Sequence, residues 1–218
     1  MNKEIVRSLQ KIGVDTRFVS IIDKSVLINN LKFSRFSRKK EELFKKSFPE
    51  IDVVRSKIFQ KICMRASRNL AHCIRPKEKI FLIKNDNPHN HMLYVILEPY
   101  QRKYGIELIF GNSIDESRGS NVDIIAIPTT LDDEAENILN LMLDGKKIEL
   151  LSSIQKYNDA KLIYPLINIP ISWINSWMKI KVDTPNQNYE SADDLLRFLE
   201  TIIPDVKENL VKSALFVS

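Results

Sequence analysis

A short run of buried-strand character that leads straight into a helix start is the feature that most constrains how this chain folds. Residues 123–127 are largely apolar and β-branched, which is typical of a parallel strand covered on both faces. Thr129 and Thr130 follow, and either hydroxyl can cap a helix that continues over residues 131–143. A strand that ends at a capped helix predicts an α/β fold.

The first turn of that helix carries three acidic residues, Asp132, Asp133 and Glu134. Negative charge there suits the positive end of the helix dipole, so the triplet can be capping chemistry alone. A position just beyond a buried strand is also where α/β proteins place nucleotide sites, so a functional interpretation stays open. The apolar positions farther along the helix share one stripe, which we expect to face the sheet: Ile138, Leu139, Met142 and Leu143.

Three segments together resemble a known family. Residues 131–135 read Leu-Asp-Asp-Glu-Ala, as in the acidic motif of the PP-loop ATP pyrophosphatases that thiolate tRNA, although residues 128–130 replace the family's Gly-His-Asn. Residues 162–166 with Pro170 resemble the family's strand and Lys-Pro-Leu type turn, and residues 198–213 resemble its C-terminal helix pair. The resemblance covers roughly residues 79–215. It implies a Rossmann-like parallel sheet flanked by helices, of the adenine nucleotide alpha hydrolase type.

The chain departs from this family at the phosphate-binding loop. Active members carry Ser-Gly-Gly-Lys-Asp-Ser after the first core strand, and the glycines let backbone N–H groups close on a pyrophosphate. Here the predicted first strand, residues 79–83, is followed by a loop without glycine, in which a proline lacks an N–H and an aspartate repels phosphate. The degenerate loop consists of Lys84, Asn85, Asp86, Asn87, Pro88 and His89.

The cysteines and histidines also differ from the pattern of active family members. Active members carry a Cys-x-x-Cys module between the second and third core strands, for an iron–sulfur cluster or for sulfur transfer, but residues 111–122 contain no cysteine. Cys63 and Cys73 are ten residues apart on predicted helix, so we interpret them as ordinary thiols. His89 and His91 do not share a helix face and lack a third ligand nearby. The sequence therefore predicts no metal site.

Charge is divided unevenly along the chain. Residues 1–79 contain 20 Lys and Arg against 8 Asp and Glu, a net charge of +12, whereas residues 80–218 contain 13 against 20, a net charge of −7. Such a basic part is expected to bind a polyanion. Nine of its cations are predicted to contact RNA: Lys32, Arg35, Arg38, Lys39, Lys40, Lys45, Lys46, Arg65 and Arg68.

Aromatic residues interleave with these cations. Phe33, Phe36 and Phe44 could stack on unpaired bases, or they could form the core beneath a cationic face. Sequence alone leaves both interpretations open.

The chain is expected to have a basic, mainly helical N-terminal region at residues 1–78 and an α/β domain with C-terminal helices at residues 79–218. In the first region we predict helices over residues 1–11 and 38–48 and a hairpin centred on Asp23 and Lys24. The apolar positions between Val53 and Leu70 recur at helical spacing, which predicts one long helix there.

Trp173 and Trp177 lie four residues apart, so they share one helix face and are candidates for a subunit interface. No apolar run approaches the roughly 20 residues of a membrane span. The apolar content and the two cysteines favour a cytoplasmic globular protein.

The departures from the active pattern resemble those of a degenerate member of the family, the cytoplasmic tRNA 2-thiolation protein 2 type. That resemblance implies a protein without catalytic residues or a cofactor, which binds tRNA and a catalytic tRNA 2-thiolase paralogue within a dimer or hetero-oligomer. One alternative is an atypical adenylating enzyme that uses Asp132, Asp133 and Lys84 with ATP and Mg²⁺. Another is a homo-oligomeric RNA-binding regulator on an inherited fold.

Overall fold

The computed structural model describes residues 2–180 and 192–217, which form two sheets surrounded by helices. The smaller sheet lies in the basic N-terminal region and has three strands. The elements of this region are α1 (Asn2–Lys11), β1 (Val19–Ile22), β2 (Ser25–Ile28), α2 (Leu31–Ser34), α3 (Arg38–Ser47) and β3 (Asp52–Val54).

Strands β1 and β2 form the antiparallel hairpin expected around Asp23, which adopts a left-handed backbone conformation at the turn. Strand β3 then pairs with β2 in parallel. This sheet has its own hydrophobic core against α1 and α3, and the largest fully buried side chains of that core are Ile5, Leu9, Ile21, Ile28, Phe36, Phe44 and Ile51. The region is thus helical with an added sheet.

The predicted long helix from Val53 to Leu70 is wrong in its first turn. Val53 and Val54 belong to β3, and the helix α4 begins only at Lys57 and ends at Leu70. Ser56 stops the strand and starts the helix, because its side chain accepts a hydrogen bond from the Phe59 N–H at 3.2 Å. The positions of Val53 and Val54 fit the period of a strand and the period of a helix equally well. Periodicity alone therefore could not decide between strand and helix.

The larger sheet has the strand order β5-β4-β6-β8-β7, with β5, β4, β6 and β8 parallel and β7 an antiparallel edge strand. This arrangement, with helices packed around it, confirms the predicted α/β fold. The elements are β4 (Lys79–Ile83), α5 (Pro88–Leu97), α6 (Tyr100–Tyr104), β5 (Glu107–Gly111), β6 (Ile124–Ala126), α7 (Leu131–Leu143), β7 (Lys156–Tyr157), β8 (Ala160–Ile163), α8 (Ile171–Met178), α9 (Ala192–Ile202) and α10 (Val206–Val217).

Helix α7 packs differently from the prediction. Its buried face, which includes Ala135 and Ile138, contacts Leu196 of α9 and Val211 of α10 in a separate hydrophobic cluster. Met142 and Leu143, which we expected to face the sheet, are 51% and 63% exposed. The C-terminal helix pair thus covers much of the apolar stripe, and the last turn of α7 extends beyond it.

A buried polar joint links the N-terminal hairpin to α5 and α6. The carboxylate of Glu98, 3% exposed, accepts a hydrogen bond from the Ile21 N–H at 3.0 Å and pairs with Arg102. The Arg102 guanidinium also donates to the carbonyl oxygens of Thr16 at 3.0 Å and Val19 at 2.7 Å. Charge-assisted hydrogen bonds of this kind are among the stronger ones in proteins, so the hairpin is fixed against α5 and α6.

Within the described residues, no helix combines the length and apolar character that crossing a bilayer requires.

The strand order of the larger sheet reverses between β4 and β6. Open α/β sheets bind ligands in the crevice at the carboxyl ends of the strands at such a reversal. The loops after β4 and β6 therefore define the candidate site.

Candidate functional site

The loop after β4 uses its own side chains to occupy its backbone donors. The Asn85 side-chain oxygen accepts a hydrogen bond from the Asn87 N–H at 3.1 Å, and the Asn87 side-chain oxygen accepts one from the His89 N–H at 2.8 Å, which caps α5. The Lys84 N–H donates to the Gly111 carbonyl at 2.8 Å. Pro88, at the start of α5, has no N–H. Three backbone N–H groups of the loop are therefore taken, and a fourth is missing.

Beside this loop lies a cavity of about 370 Å³, lined mainly by residues of β4, α5 and the β1–β2 turn. Asn90 faces it and is 6% exposed; its amide nitrogen donates to Asn85 at 2.6 Å. Its Oδ1 is buried without a hydrogen-bond partner in the part of the chain that the structure describes. Tyr94 and Phe110 meet edge to face across the cavity, with ring centroids 5.5 Å apart. The cavity thus has an apolar wall, and Asn90 beside it carries a buried, unsatisfied acceptor.

Asp132, the first residue of the acidic triplet, is engaged inside the protein. One carboxylate oxygen accepts a hydrogen bond from the Ile171 N–H at 2.6 Å, and the other lies 2.6 Å from the Lys207 ammonium. Glu200 lies 2.9 Å from the same ammonium. Burial alone would lower the pKa of Lys207, but these two carboxylates outweigh burial and raise that pKa. Asp132 therefore ties α8 and α10 to the start of α7.

The other two acidic residues are engaged as well. Asp133 and Thr130 form a capping box, in which each side chain bonds the backbone N–H of the other residue. The Glu134 carboxylate is fully buried and accepts hydrogen bonds from the Leu151 N–H at 2.8 Å and from the Ser152 N–H and hydroxyl. All three carboxylates thus have structural partners.

The thiols and imidazoles do not gather into a metal site. Burial raises the pKa of the Cys63 thiol far above its usual range, which is expected of an inert core thiol. Cys73 is half-buried and also free. Among the described residues, no group of three or more His, Cys, Asp and Glu side chains is arranged to hold a metal ion.

Comparison with known proteins supports the fold. No protein-family model matches the chain. A protein of Methanocaldococcus jannaschii named "Probable sulfurtransferase" is 31% identical over 94 residues, which cover 42% of this chain and 28% of that protein. The matched stretch therefore spans little more than a quarter of the relative's length.

Among solved structures, the U34-tRNA thiolase NcsA from Methanococcus maripaludis, determined with its 4Fe-4S cluster, superposes with a TM-score of 0.54 at 16% identity. The match covers 76% of this chain and 81% of the thiolase chain. The two proteins share a fold.

The nine cations predicted to contact RNA fall into two groups. Four are engaged with the protein: Lys40 donates to the Gly13 carbonyl at 2.6 Å, Lys45 lies 3.5 Å from Asp52, Arg65 lies 2.8 Å from Glu208, and Arg38, although exposed, lies 3.3 Å from Glu41. The other five are exposed, namely Lys32, Arg35, Lys39, Lys46 and Arg68. These five can contact phosphates without first breaking an internal ion pair.

The three phenylalanines of the basic region separate in the same way. Phe36 and Phe44 are almost fully buried and meet edge to face, so the core interpretation holds for both. Phe33 is 53% exposed, and its ring centroid lies 5.2 Å from that of Phe18. Only Phe33 of this set presents a ring to solvent.

The two tryptophans pack on α4 within the same chain. Trp177 stacks on Phe59 with ring centroids 5.1 Å apart, and the guanidinium of Arg65 lies 4.4 Å from the Trp173 ring centroid. Both tryptophans are half-buried. Only part of each ring is therefore accessible to a partner.

The sequence interpretation missed a second cluster of aromatic and cationic residues. The Lys103 ammonium lies 6.0 Å from the Phe18 ring centroid, 5.2 Å from that of Tyr100 and 4.9 Å from that of Tyr104. Phe18 and Lys103 are 85 positions apart. Tyr100, Lys103 and Tyr104 lie at helical spacing on α6 and could have been found from the sequence, whereas the contact with Phe18 depends on the fold.

Proposed function

We propose that this protein is a non-catalytic, tRNA-binding partner in tRNA wobble-uridine 2-thiolation. The observation that carries the proposal is the loop after β4, which lacks glycine and in which the Asn85 and Asn87 side chains occupy the backbone N–H groups of Asn87 and His89. Catalysis of adenylation depends on donors preorganised around the charge that develops on the phosphates. A loop without glycine, whose N–H groups are partly taken by its own side chains, lacks that preorganisation.

The acidic triplet supports the same proposal. An adenylating enzyme would need Asp132 or Asp133 free for a magnesium ion, whereas one is paired with Lys207 and the other caps α7. Breaking these contacts to bind a metal would loosen the packing of α7 against α8 and α10. The triplet is therefore suited to holding the fold.

The RNA part of the proposal rests on charge and on the comparisons. The exposed cations of the +12 region give a surface able to release counterions from RNA phosphates. The protein of similar fold is named as a U34-tRNA thiolase. We propose that a catalytic thiolase paralogue is the protein partner, and that the complex acts in the cytoplasm. We also propose that the boundary between the basic N-terminal region and the α/β domain lies at residue 78. Helix α4, which precedes this boundary, shares a hydrophobic core with β4 and α5.

Pyrophosphate release from ATP in the presence of tRNA tests the catalytic half of the proposal. The chain alone is expected to give no turnover above a buffer blank, and Lys84→Met is expected to behave identically. Turnover by the wild type that Lys84→Met abolishes, with the fold retained by circular dichroism, would contradict a non-catalytic role.

Recovery from native cells tests the partner half. A tagged chain is expected to copurify with tRNA and with an active tRNA 2-thiolase, and nuclease treatment distinguishes a direct protein contact from an RNA bridge. Recovery of tRNA without the thiolase would favour a stand-alone RNA-binding regulator.

A second candidate, an atypical nucleotide-dependent enzyme, is favoured by one observation, the cavity with the unsatisfied Asn90 Oδ1. An exocyclic amine of a base would reach that acceptor once the Asn90 side chain turns toward the cavity, where Phe110 would pack against the ring. Calorimetric titration with adenosine and with ATP tests this candidate. Binding that Asn90→Leu removes would support a retained nucleoside site, whereas no heat with either compound would dismiss it.

A further inference from the structure

A groove lies between the N-terminal hairpin region and helices α4 and α6. It consists of two adjoining cavities of about 280 and 550 Å³, both of which are lined by Asn29, Asn30 and Met64. The first cavity continues to Phe18, Phe33 and Lys103, and the second continues along Lys32, Lys57 and Lys61. We call this feature the hairpin groove.

One wall of the hairpin groove is apolar and exposed. Leu31, Phe33 and Met64 are 46%, 53% and 48% exposed, and Phe33 is tilted by 34° against Phe18. Neighbouring apolar side chains exposed around a cavity are typical of a binding surface. An exposed phenylalanine held by a second ring is a suitable platform for a flat, aromatic ligand.

The other wall is cationic. Lys103 lies over the rings of Phe18 and Tyr100, which line the first cavity, and over the neighbouring Tyr104, and three lysines line the second cavity. Arg17 also lines the groove, but Asp15 neutralises it through contacts of 3.0 and 2.7 Å. No Asp or Glu is among the described residues that line either cavity. The groove therefore has a net positive charge and complements an anion.

From these features we infer that the hairpin groove binds an unpaired nucleotide of an RNA strand, with the base on Phe33 and the flanking phosphates near Lys32, Lys57, Lys61 and Lys103. The inference rests on the proposed RNA-binding function and specifies what the protein recognises. Base-on-aromatic stacking requires a base face that a duplex keeps covered, so the groove selects single-stranded segments.

Asn30 adds a polar contact at the centre of the groove. Its side-chain oxygen accepts a hydrogen bond from the Phe33 N–H at 3.0 Å, which starts α2. This bond leaves the NH₂ group as the end that can donate to a base carbonyl. The same residue thus positions the stacking ring and offers a donor beside it.

Binding of a fluorescein-labelled eight-nucleotide RNA to the full-length protein tests the inference. Phe33→Leu keeps apolar volume but removes the ring, so affinity is expected to fall by about 5-fold to 150-fold, the range for loss of one stacked base. The matched control is Phe216→Leu, since Phe216 is 92% exposed on α10, outside the groove. The control is expected to bind as the wild type does. Equal affinity of Phe33→Leu and wild type would overturn the inference.

An abasic version of the same RNA separates the base from the backbone. The wild type is expected to bind the abasic strand more weakly than the intact strand, whereas Phe33→Leu is expected to bind both alike. A wild type that does not distinguish the two strands would overturn base stacking and favour a peptide or a plain phosphate contact in the groove. A wild type that binds no RNA at all would instead overturn the proposed function itself.

Photocrosslinking gives a readout that does not depend on a variant. RNA carrying 5-iodouridine is expected to crosslink to the wild type at Phe18, Phe33 or Tyr100, as identified by mass spectrometry of the digested adduct. Crosslinks confined to residues outside the hairpin groove would contradict the inference even if Phe33→Leu proved unstable.

Discussion

The ammonium of Lys207, on α10, lies 2.6 Å from the Asp132 carboxylate at the start of α7, and both side chains are largely buried. The pair therefore anchors the C-terminal helices to the loop edge of the sheet. Lys207→Met would leave the Asp132 carboxylate without its partner in a poorly solvated position.

We expect Lys207→Met to lower the free energy of unfolding by about 3 kcal/mol, as for other broken buried ion pairs. Urea denaturation followed by circular dichroism measures this change. The double variant Asp132→Asn with Lys207→Met removes both charges and is expected to recover part of the loss. Wild-type stability in the single variant would show that the pair of Asp132 and Lys207 does not anchor the C-terminal helices.

Gly111, at the end of β5, is the second site where packing sets a prediction. A Cβ there would lie 2.6 Å from the Phe81 ring and 2.7 Å from a Glu116 carboxylate oxygen. Phe81 is buried and cannot move away, so Gly111→Ala is expected to destabilise the protein by about 1–3 kcal/mol. Gly119→Ala, which meets open space, is the matched control and is expected to stay within about 0.5 kcal/mol in the same urea experiment.

Glu136 on α7 gives a prediction about pH. Burial, and after it the charges of Asp193 and Asp133, raise the pKa of this carboxyl above its usual value. A raised acid pKa favours the folded state below the unfolded pKa, and that contribution is lost as pH rises through the folded pKa. At neutral pH the ionised Glu136 therefore destabilises the fold.

Glu136→Gln is consequently expected to raise the melting temperature at pH 7 by roughly 1–2 °C, a small effect because the side chain is partly solvated. The gain should vanish at a pH below the ordinary carboxyl pKa. Glu50→Gln, at an exposed position, is the control. An equal gain at both pH values would mean that the substitution acts through packing.

The proposed RNA surface predicts a salt dependence. Arg35, Arg38, Lys39 and Lys46 are exposed, so replacing all four by Glu should weaken tRNA binding and lower the slope of log affinity against log salt by about one per lost phosphate contact. Replacing the exposed lysines Lys146, Lys147, Lys156 and Lys179 of the acidic part in the same way is the control. If both variants behave alike, net charge and not a defined surface governs binding.

The two tryptophans predict separable effects. Trp177→Ala removes a ring stacked on the fully buried Phe59 and should cost about 2 kcal/mol or more of stability. Trp173→Ala removes the contacts with Arg65 and Lys61 and the part of the ring that packs against the core, and should cost about 1 kcal/mol or more. Light scattering of both folded variants against wild type measures association. A loss of oligomers in Trp173→Ala alone would identify Trp173 as the interface residue.

The local chemistry of the sequence predicted much of the fold. Residues 123–127 and the Thr130 cap gave a strand and a helix start because both signals depend on neighbouring residues. The hairpin around Asp23 followed from a turn between two apolar runs. The strand order and the packing of α7 on the C-terminal helices could not be predicted, because they depend on contacts far apart in sequence.

The candidate site was also predictable from the sequence only in part. The absence of glycine between Lys84 and His89 is visible in the sequence, but the hydrogen bonds by which Asn85 and Asn87 occupy the loop are not. Likewise, the partner of Asp132 is 75 positions away, so the structural role of this residue became evident only from the structure.

The joint at Arg102 has a mechanical consequence for the hairpin groove. Arg102 holds the carbonyl oxygens of Thr16 and Val19, while Glu98 holds the Ile21 N–H, so the hairpin and α6 are expected to move as one rigid body. The spacing between Phe33 and Lys103 is then set before any ligand arrives. Binding an RNA strand in such a groove costs little free energy for ordering the protein. Most of the conformational entropy that is lost on binding is then lost by the RNA.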